Sequence, residues 1–342
     1  MNVLLTSVGR RAYMVKFFKE ALGDNGSVHV CNSDDKTVAF HYADYSVISP
    51  LIYDENYIPF LIEYCKNNHI DMLLSLFDID LPILARNKET FAKIGTKVIV
   101  SEPEIVDICN DKWKTYLYLK ENGFNVPKTF LSLQDVLRAI DNGELKYPIV
   151  VKPRFGCGSL AMSIAEDEMA LLYYFRRNTR TISRTYLKYE SSAVSSDEQI
   201  VYQECLPGQE YGADIINDLN GNFRNTVIKK KIAMRAGETD IAELVDEPCI
   251  KAEMSRLGAL TRHVGNIDCD IFLVDGTPYI LEMNARFGGG YPFSHMGGCN
   301  LPKALVEWRK GNEIEDEILF ANVGIVGYKE LVIASFNKAT YK

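Results

Sequence analysis

Over the first 110 residues, short apolar strands alternate with amphipathic helices, and that alternation constrains the fold more than any other feature. Residues 3–6, 28–32, 72–76 and 97–100 read as strands. Residues 11–22, with Ala12, Val15, Phe18 and Leu22 on one stripe, and 57–67 read as helices. Strand, helix and strand in succession need crossovers, so the expected sheet is parallel and covered on both faces. Its first strand ends in Ser7-Val8-Gly9-Arg10. A helix start favours anions, but G-x-G-x-x-G is absent, so this is either a plain turn or a substrate contact through Ser7 and Arg10. Asp78 and Asp80 follow the third strand, at the carboxyl edge where open α/β sheets hold ligands; helix capping is the competing role.

The pattern then changes. A helix is expected over 111–123, ended by Gly123 with Pro127 beyond, and a strand over 148–153. Residues 176–198 are rich in Arg, Ser and Thr and poor in aliphatics, which predicts an irregular segment. Residues 199–203, 212–216, 225–232 and 270–274 read as strands of an antiparallel sheet.

Polar residues cluster where these strands end. In GTPYILEMNARFGGG, residues 276–290, Glu282, Asn284 and Arg286 alternate with Met283 and Ala285 and share one face of an extended chain. A carboxylate, an amide and a guanidinium suit a hard divalent cation and the phosphates it carries; a solvated strand end is the bland alternative. Gly288 to Gly290 would bring backbone amides close to a ligand. The turn Asp275-Gly276 predicts a hairpin placing Asp270, at a strand start, near Glu282. Two carboxylates and an amide select Mg²⁺ or Mn²⁺, with Asp268 able to replace Asp270 or to cap the turn.

Three further segments stand out. Lys152 precedes a loop with Gly156, Gly158 and Ser159, which would cover phosphates without being a Walker A loop. Glu204, Cys205 and Leu206 end a strand whose free backbone groups suit an adenine edge, and Glu210 suits ribose hydroxyls. Lys229 and Lys231 share a strand face opposite Lys230, and Arg235 beside Gly237 would clamp a phosphate or carboxylate. Each also has an ordinary reading as a solvated side chain.

The chain has 342 residues, 47% hydrophobic and 25% charged, enough for two or three domains. A net charge of −8 argues against a nucleic-acid partner while leaving room for local basic clusters. Eight cysteines without a C-x-x-C pair suggest reduced thiols rather than zinc or disulfides. The opening MNVLLTSVGRR has too short an apolar run for a signal core, and no run approaches the roughly 20 residues of a membrane span. A cytoplasmic location and no membrane partner are expected.

In their order, TSVGRR, IVVKPRFGCGS, KKKIAMRAGETD and EMNARFGGGYPFSH resemble the ATP-grasp superfamily, most closely the branch of the carbamoyl-phosphate synthase large subunit, which includes stand-alone amino-acid ligases. The resemblance implies an ATP-grasp fold of mixed α/β and α+β class. It comprises a parallel pre-ATP-grasp domain (1–110), a small lid subdomain with its linker helix (111–205) and a large subdomain with the metal site (206–342), with ATP between the last two. It implies that Lys112 and Lys152 hold phosphates, Glu204 with the Leu206 backbone the adenine, Glu210 the ribose, and Lys231 the terminal phosphates. Asp270, Glu282 and Asn284 correspond to Mg²⁺ ligands, and Arg286 to the group facing the transferred phosphoryl.

The expected activity is ADP-forming carboxylate–amine ligation through an acyl-phosphate. The alternatives are a bicarbonate- or carboxylate-activating enzyme of the synthase type and a silent ATP-binding regulatory module. One synthetase unit, not two in tandem, argues against making carbamoyl phosphate. Substrate contacts are expected from Ser7, Arg10, Asp78, Asp80, Arg235, Tyr291 and His295, in an amino-acid-like pattern of arginine and aspartates. A homodimer is the default assembly.

Overall fold

The computed structural model describes residues 1–335; residues 336–342 of the expected third unit lie outside the described residues. The first unit runs β1 (Asn2–Thr6), α1 (Ala12–Leu22), β2 (Ser27–Asn32), β3 (Tyr45–Ile48), α2 (Tyr57–Asn67), β4 (Ile70–Ser75), α3 (Leu81–Ala92) and β5 (Lys97–Val98). Its five strands pair in parallel in the order β3-β2-β1-β4-β5. Consecutive residues of β1 serve opposite faces of this sheet. Val3 and Leu5 join Met14, Val15 and Phe18 of α1, while Leu4 joins Leu61 of α2 and Leu84 of α3. Strand order reverses between β1 and β4, which opens a crevice at their carboxyl ends. Strand β3 has no counterpart in the sequence reading, because an edge strand with Tyr45, Ser46 and Ile48 exposed carries no buried run.

Two helices, α4 (Pro103–Asn110) and α5 (Lys112–Glu121), lead into the second unit. Asp111 is the N-cap of α5 rather than its first residue, accepting from the amides of Trp113 and Lys114. A four-stranded antiparallel sheet follows, β6 (Thr129–Phe130), β7 (Ile149–Pro153), β8 (Ser163–Ala165) and β9 (Ile200–Glu204), in the order β6-β9-β7-β8. Packed against it are α6 (Leu133–Asp141), α7 (Glu168–Arg184) and α8 (Leu187–Ser191). The segment expected to be irregular is therefore mostly helical. Leu171, Asn178, Ile182 and Leu187 supply a sparse buried stripe, and the Arg, Ser and Thr residues that mask it in the sequence occupy the other faces.

The third unit is one antiparallel sheet in the order β14-β13-β10-β11-β12-β15. Its strands are β10 (Gln209–Asn217), β11 (Phe223–Arg235), β12 (Glu238–Val245), β13 (Gly265–Val274), β14 (Thr277–Asn284) and β15 (Val326–Tyr328). The helices are α9 (Pro248–Thr261), α10 (Tyr291–Met296) and α11 (Leu301–Lys310). Asp275 and Gly276 both have positive φ, 48° and 77°, and form the two-residue hairpin turn between β13 and β14. Asp270 lies within β13 rather than at its start. Its polar alternate positions Asn266, Asp268 and Asp270 hide the strand in sequence, whereas Ile267, Cys269 and Ile271 bury the opposite face. Among the described residues no helix is long and apolar enough to cross a membrane, and all eight cysteines are unpaired.

Candidate functional site

A cleft of about 660 Å³ lies between the four-stranded and six-stranded sheets and reaches the carboxyl edge of the parallel sheet. On the four-stranded side, β7 delivers Lys152, whose Nζ donates to Gln203 Oε1 at 3.0 Å. Burial pushes its ammonium below the usual lysine range; Glu282 opposes that shift and Lys112 reinforces it. Gly156, Gly158 and Ser159, all at positive φ, form the loop above it. Lys112 Nζ donates to the Gly156 carbonyl at 2.5 Å and stands 3.6 Å from Glu282 Oε1, so it spans the cleft. Glu204, Cys205 and Leu206 line the far end; the Glu204 carboxylate accepts from the Lys128 amide at 3.2 Å.

The six-stranded side gathers Glu210, Lys231, Asp270, Glu282 and Asn284. Strand pairing explains the grouping, since β13 and β14 set Asp270 opposite Glu282 and Asp268 opposite Asn284. Lys231 Nζ lies 2.6 Å from Glu210 Oε1 and 2.5 Å from Asp270 Oδ1. Burial opposes its charge, but the two carboxylates outweigh burial and keep it protonated. Asp270 is pushed up to about 6: burial leads, Lys231 opposes it, and Asp268, Glu210 and Glu282 add to the rise.

The donors Asp270, Glu282 and Asn284 are all hard oxygens, and the raised Asp270 carboxyl marks a place where negative charge is under-compensated. That chemistry fits Mg²⁺ or Mn²⁺. Among the described residues no group of three or more His, Cys, Asp or Glu side chains is placed to hold a metal ion by itself. The set therefore suits a cation that keeps water or phosphate oxygens as its other ligands.

At the switch point of the parallel sheet the cleft meets Ser7, Gly9, Arg10 and Phe77, with Arg286 opposite. Arg286 is fully engaged. Its Nε and Nη2 donate to Asp78 Oδ2 at 3.1 and 3.0 Å, and its Nη1 to Asp268 Oδ2 at 3.1 Å. Asp78 is buried, yet Arg286 holds its carboxyl below the usual range. The glycine triplet has a structural duty here. A Cβ on Gly288 would fall 2.1 Å from the Asp268 carboxyl carbon, and one on Gly289 would fall 2.9 Å from that of Glu238.

Five expected contacts lie elsewhere. Asp78 is buried beneath Arg286 and does not line the cleft. Asp80 is sealed under the first loop, accepting from Thr6 Oγ1, Ser7 Oγ and the Tyr57 hydroxyl, so it clamps the fold instead of facing the cleft. Tyr291 is buried, its hydroxyl donating to the Cys299 carbonyl and accepting from the Leu301 amide. His295 stacks on Phe17 with ring centroids 3.7 Å apart and does not line the cleft. Arg235 pairs with Asp240 and donates to the Lys329 carbonyl. The reason is a register shift in β11 between Lys231 and Met234, which turns Met234 and Ala236 into the cleft in place of Arg235.

Two neighbours are not among the expected site residues, although alternation places Lys229 on the face of Lys231. Lys229 is buried against Asp214 and Ser294, and Arg11 Nη1 bridges the carbonyls of Leu76 and Phe287 at 2.8 and 2.9 Å. For Lys229 the alternation with Lys231 gives the face; for Arg11 there is no signal.

The lid loop also touches the far side. Gly237 has φ 80°, and a Cβ there would come 2.3 Å from the Gly158 carbonyl oxygen. Gly237→Ala is expected to prop the loop open and, on the function proposed below, to lower nucleotide-dependent turnover roughly ten-fold or more. The unfolding midpoint without nucleotide should shift far less. Equal turnover in steady-state assays of the two proteins would show that the contact is dispensable.

The comparisons agree with this geometry. The family model of the ATP-grasp domain matches residues 109–290, more than half the chain, and that of the PylC-like N-terminal domain matches residues 3–99. The chain belongs to the ATP-grasp family. It is 22% identical over 277 residues to the carbamoyl phosphate synthase large chain of Pseudothermotoga lettingae, covering 78% of this chain and 23% of that one. The chain thus spans about a quarter of the length of such curated relatives. Among solved structures, the biotin carboxylase of Campylobacter jejuni superposes with a TM-score of 0.71 at 18% identity, covering 94% of this chain and 73% of that one. The L-amino acid ligase of Bacillus licheniformis gives 0.64 at 20%, covering 90% and 73%. These likenesses establish the ATP-grasp fold and bear out the resemblance to carbamoyl-phosphate synthase large subunits.

Proposed function

We propose that this chain is an ATP-dependent, ADP-forming carboxylate–amine ligase. The observation that carries the reading is the single cleft in which Lys112 and Lys152 face Lys231, Glu210, Asp270, Glu282 and Asn284 on the six-stranded wall. Lysines from both walls suit a polyphosphate, and the oxygen donors suit its divalent cation. Lys112 and Lys152 hold the phosphates under the Gly156, Gly158 and Ser159 loop, and Lys231 meets the terminal ones. Glu204 and the backbone of Cys205 and Leu206 take the adenine, and Glu210 the ribose. Asp270, Glu282 and Asn284 hold Mg²⁺.

ATP with Mg²⁺ supplies an activated phosphoryl group whose charge the cation offsets. The chain's own part is positioning and charge neutralisation. A substrate carboxylate oxygen bonds to the γ-phosphorus as ADP leaves. The amine nitrogen then bonds to the acyl carbon, phosphate departs and the nitrogen gives up a proton. Arg286, already charged and fixed by Asp78 and Asp268, faces that acyl group. The closed lid loop keeps water from it.

Ser7 and Arg10 at the switch point, with Asp268 across from them, offer a cation and a carboxylate, which suits amino acids as substrates. The proposed division of labour follows the three units 1–110, 111–205 and 206–342, in a homodimer of the cytosol. The test is ADP release from MgATP with pooled amino acids. Release that rises with the amino acids supports the ligase. Tight ATP binding without amino-acid-dependent ADP in any pool would leave only a binding module and overturn it.

A further inference from the structure

We infer that Asp111 and Arg154 are positioning residues that hold Lys112 and Lys152 in one fixed relation; the inference rests on the nucleotide reading of the cleft. Neither residue lines that cleft. Both face a second cavity, of about 640 Å³, on the other side of the lid's attachment. They are 3% and 7% exposed.

Arg154 Nε donates to Asp111 Oδ1 and Nη2 to Asp111 Oδ2, each at 2.8 Å, a planar two-bond fork that a lysine cannot reproduce. The main chain closes the same ring, because the Lys112 amide donates to the Arg154 carbonyl at 3.1 Å. Asp111 also caps α5 through the amides of Trp113 and Lys114, which orients the first turn where Lys112 sits. On the lid side the Arg154 amide donates to the Gln199 carbonyl at 2.9 Å, which ties the end of β7 to the start of β9.

Lys152 lies two residues before Arg154 on β7, and Lys112 directly follows Asp111. The fork thus joins the two backbone segments that carry the lysines. Their ammonium groups are separately anchored, Lys112 on the Gly156 carbonyl and Lys152 on Gln203. The fork therefore sets the spacing of the backbone segments from which the two lysines reach into the cleft. Glu198 Oε2, 4.0 Å from Arg154 Nη1, is the one other carboxylate near the guanidinium among the described residues.

Arg154→Lys and Asp111→Asn test this by calorimetric titration with ATP and with AMP in excess Mg²⁺. AMP keeps only the α-phosphate and so lacks most of the charge the two lysines would meet. The expected result in each variant is an ATP affinity lower by roughly ten-fold or more, with AMP affinity changed less than about two-fold. The double variant should be no worse than the weaker single, since one fork is lost once. Unchanged ATP affinity, or an equal loss for ATP and AMP, would overturn the inference. Asp111→Asn keeps the cap acceptor and the side-chain shape, so it carries the test if Arg154→Lys folds poorly. A wild-type protein that binds ATP no better than AMP would instead contradict the nucleotide reading itself.

Discussion

Glu282→Ala is expected to reduce Mg²⁺-dependent ADP release by about 10³-fold or more, a loss on the scale of removing a preorganised charge from a transition state. Two effects act together. One of the two carboxylates proposed for the cation disappears, and Lys112 loses the carboxylate 3.6 Å from its ammonium. Lys152, whose charge burial already opposes, loses the carboxylate that most supports it and remains beside Lys112. The fold should survive, because Glu282 sits near the end of edge strand β14 and lines the cleft. Glu282→Gln, which keeps an oxygen donor but not the charge, should fall between wild type and alanine. Undiminished ADP release in Glu282→Ala, measured across a Mg²⁺ titration, would place the cation elsewhere.

Arg286→Met should damage both activity and stability. It strips the guanidinium from Asp78 and Asp268, leaving buried carboxylates without a cation, a change worth about 3–5 kcal/mol in denaturant unfolding. Its pH dependence distinguishes it from a simple packing defect. In the wild type, Arg286 holds the Asp78 carboxyl below its unfolded value of about 3.9. That contribution is present above the unfolded pKa and fades as pH falls through the folded one. In Arg286→Met burial, the largest influence on Asp78, is countered only by Cys157 and Arg11, so its folded pKa rises above the unfolded value and the penalty is relieved as acid protonates it. The stability gap between the two proteins should therefore be widest near neutral pH and narrow on acidification. A gap independent of pH would mean that Asp78 does not depend on Arg286.

Local pattern made much of this legible in advance. The apolar runs around Val3 and Met72 needed two covered faces, and Asp275-Gly276 could only be a tight turn, so the parallel sheet and the hairpin under Asp270 and Glu282 followed. Lys152, Glu210, Glu282 and Asn284 line the cleft because strand ends and alternation place them there. What stayed hidden depends on tertiary partners. Asp80 follows the same strand as Asp78, yet Thr6 and Tyr57 pull it into the interior while Arg286 claims Asp78.

The displacement of Arg235 comes from a one-residue slip in β11, which alternation counting cannot register. Helix α7 hides because a helix packed on one narrow stripe can carry Arg and Thr elsewhere. The Asp111–Arg154 fork joins residues far apart in sequence, with no periodicity to announce it.

The most direct measurement of the proposed chemistry uses pooled amino acids carrying oxygen-18 in their carboxyl groups, incubated with MgATP and the enzyme. Transfer through an acyl-phosphate predicts that the inorganic phosphate released with ADP carries one oxygen-18 from the acid, as read by mass spectrometry. Unlabelled phosphate, or AMP and pyrophosphate in place of ADP, would contradict it.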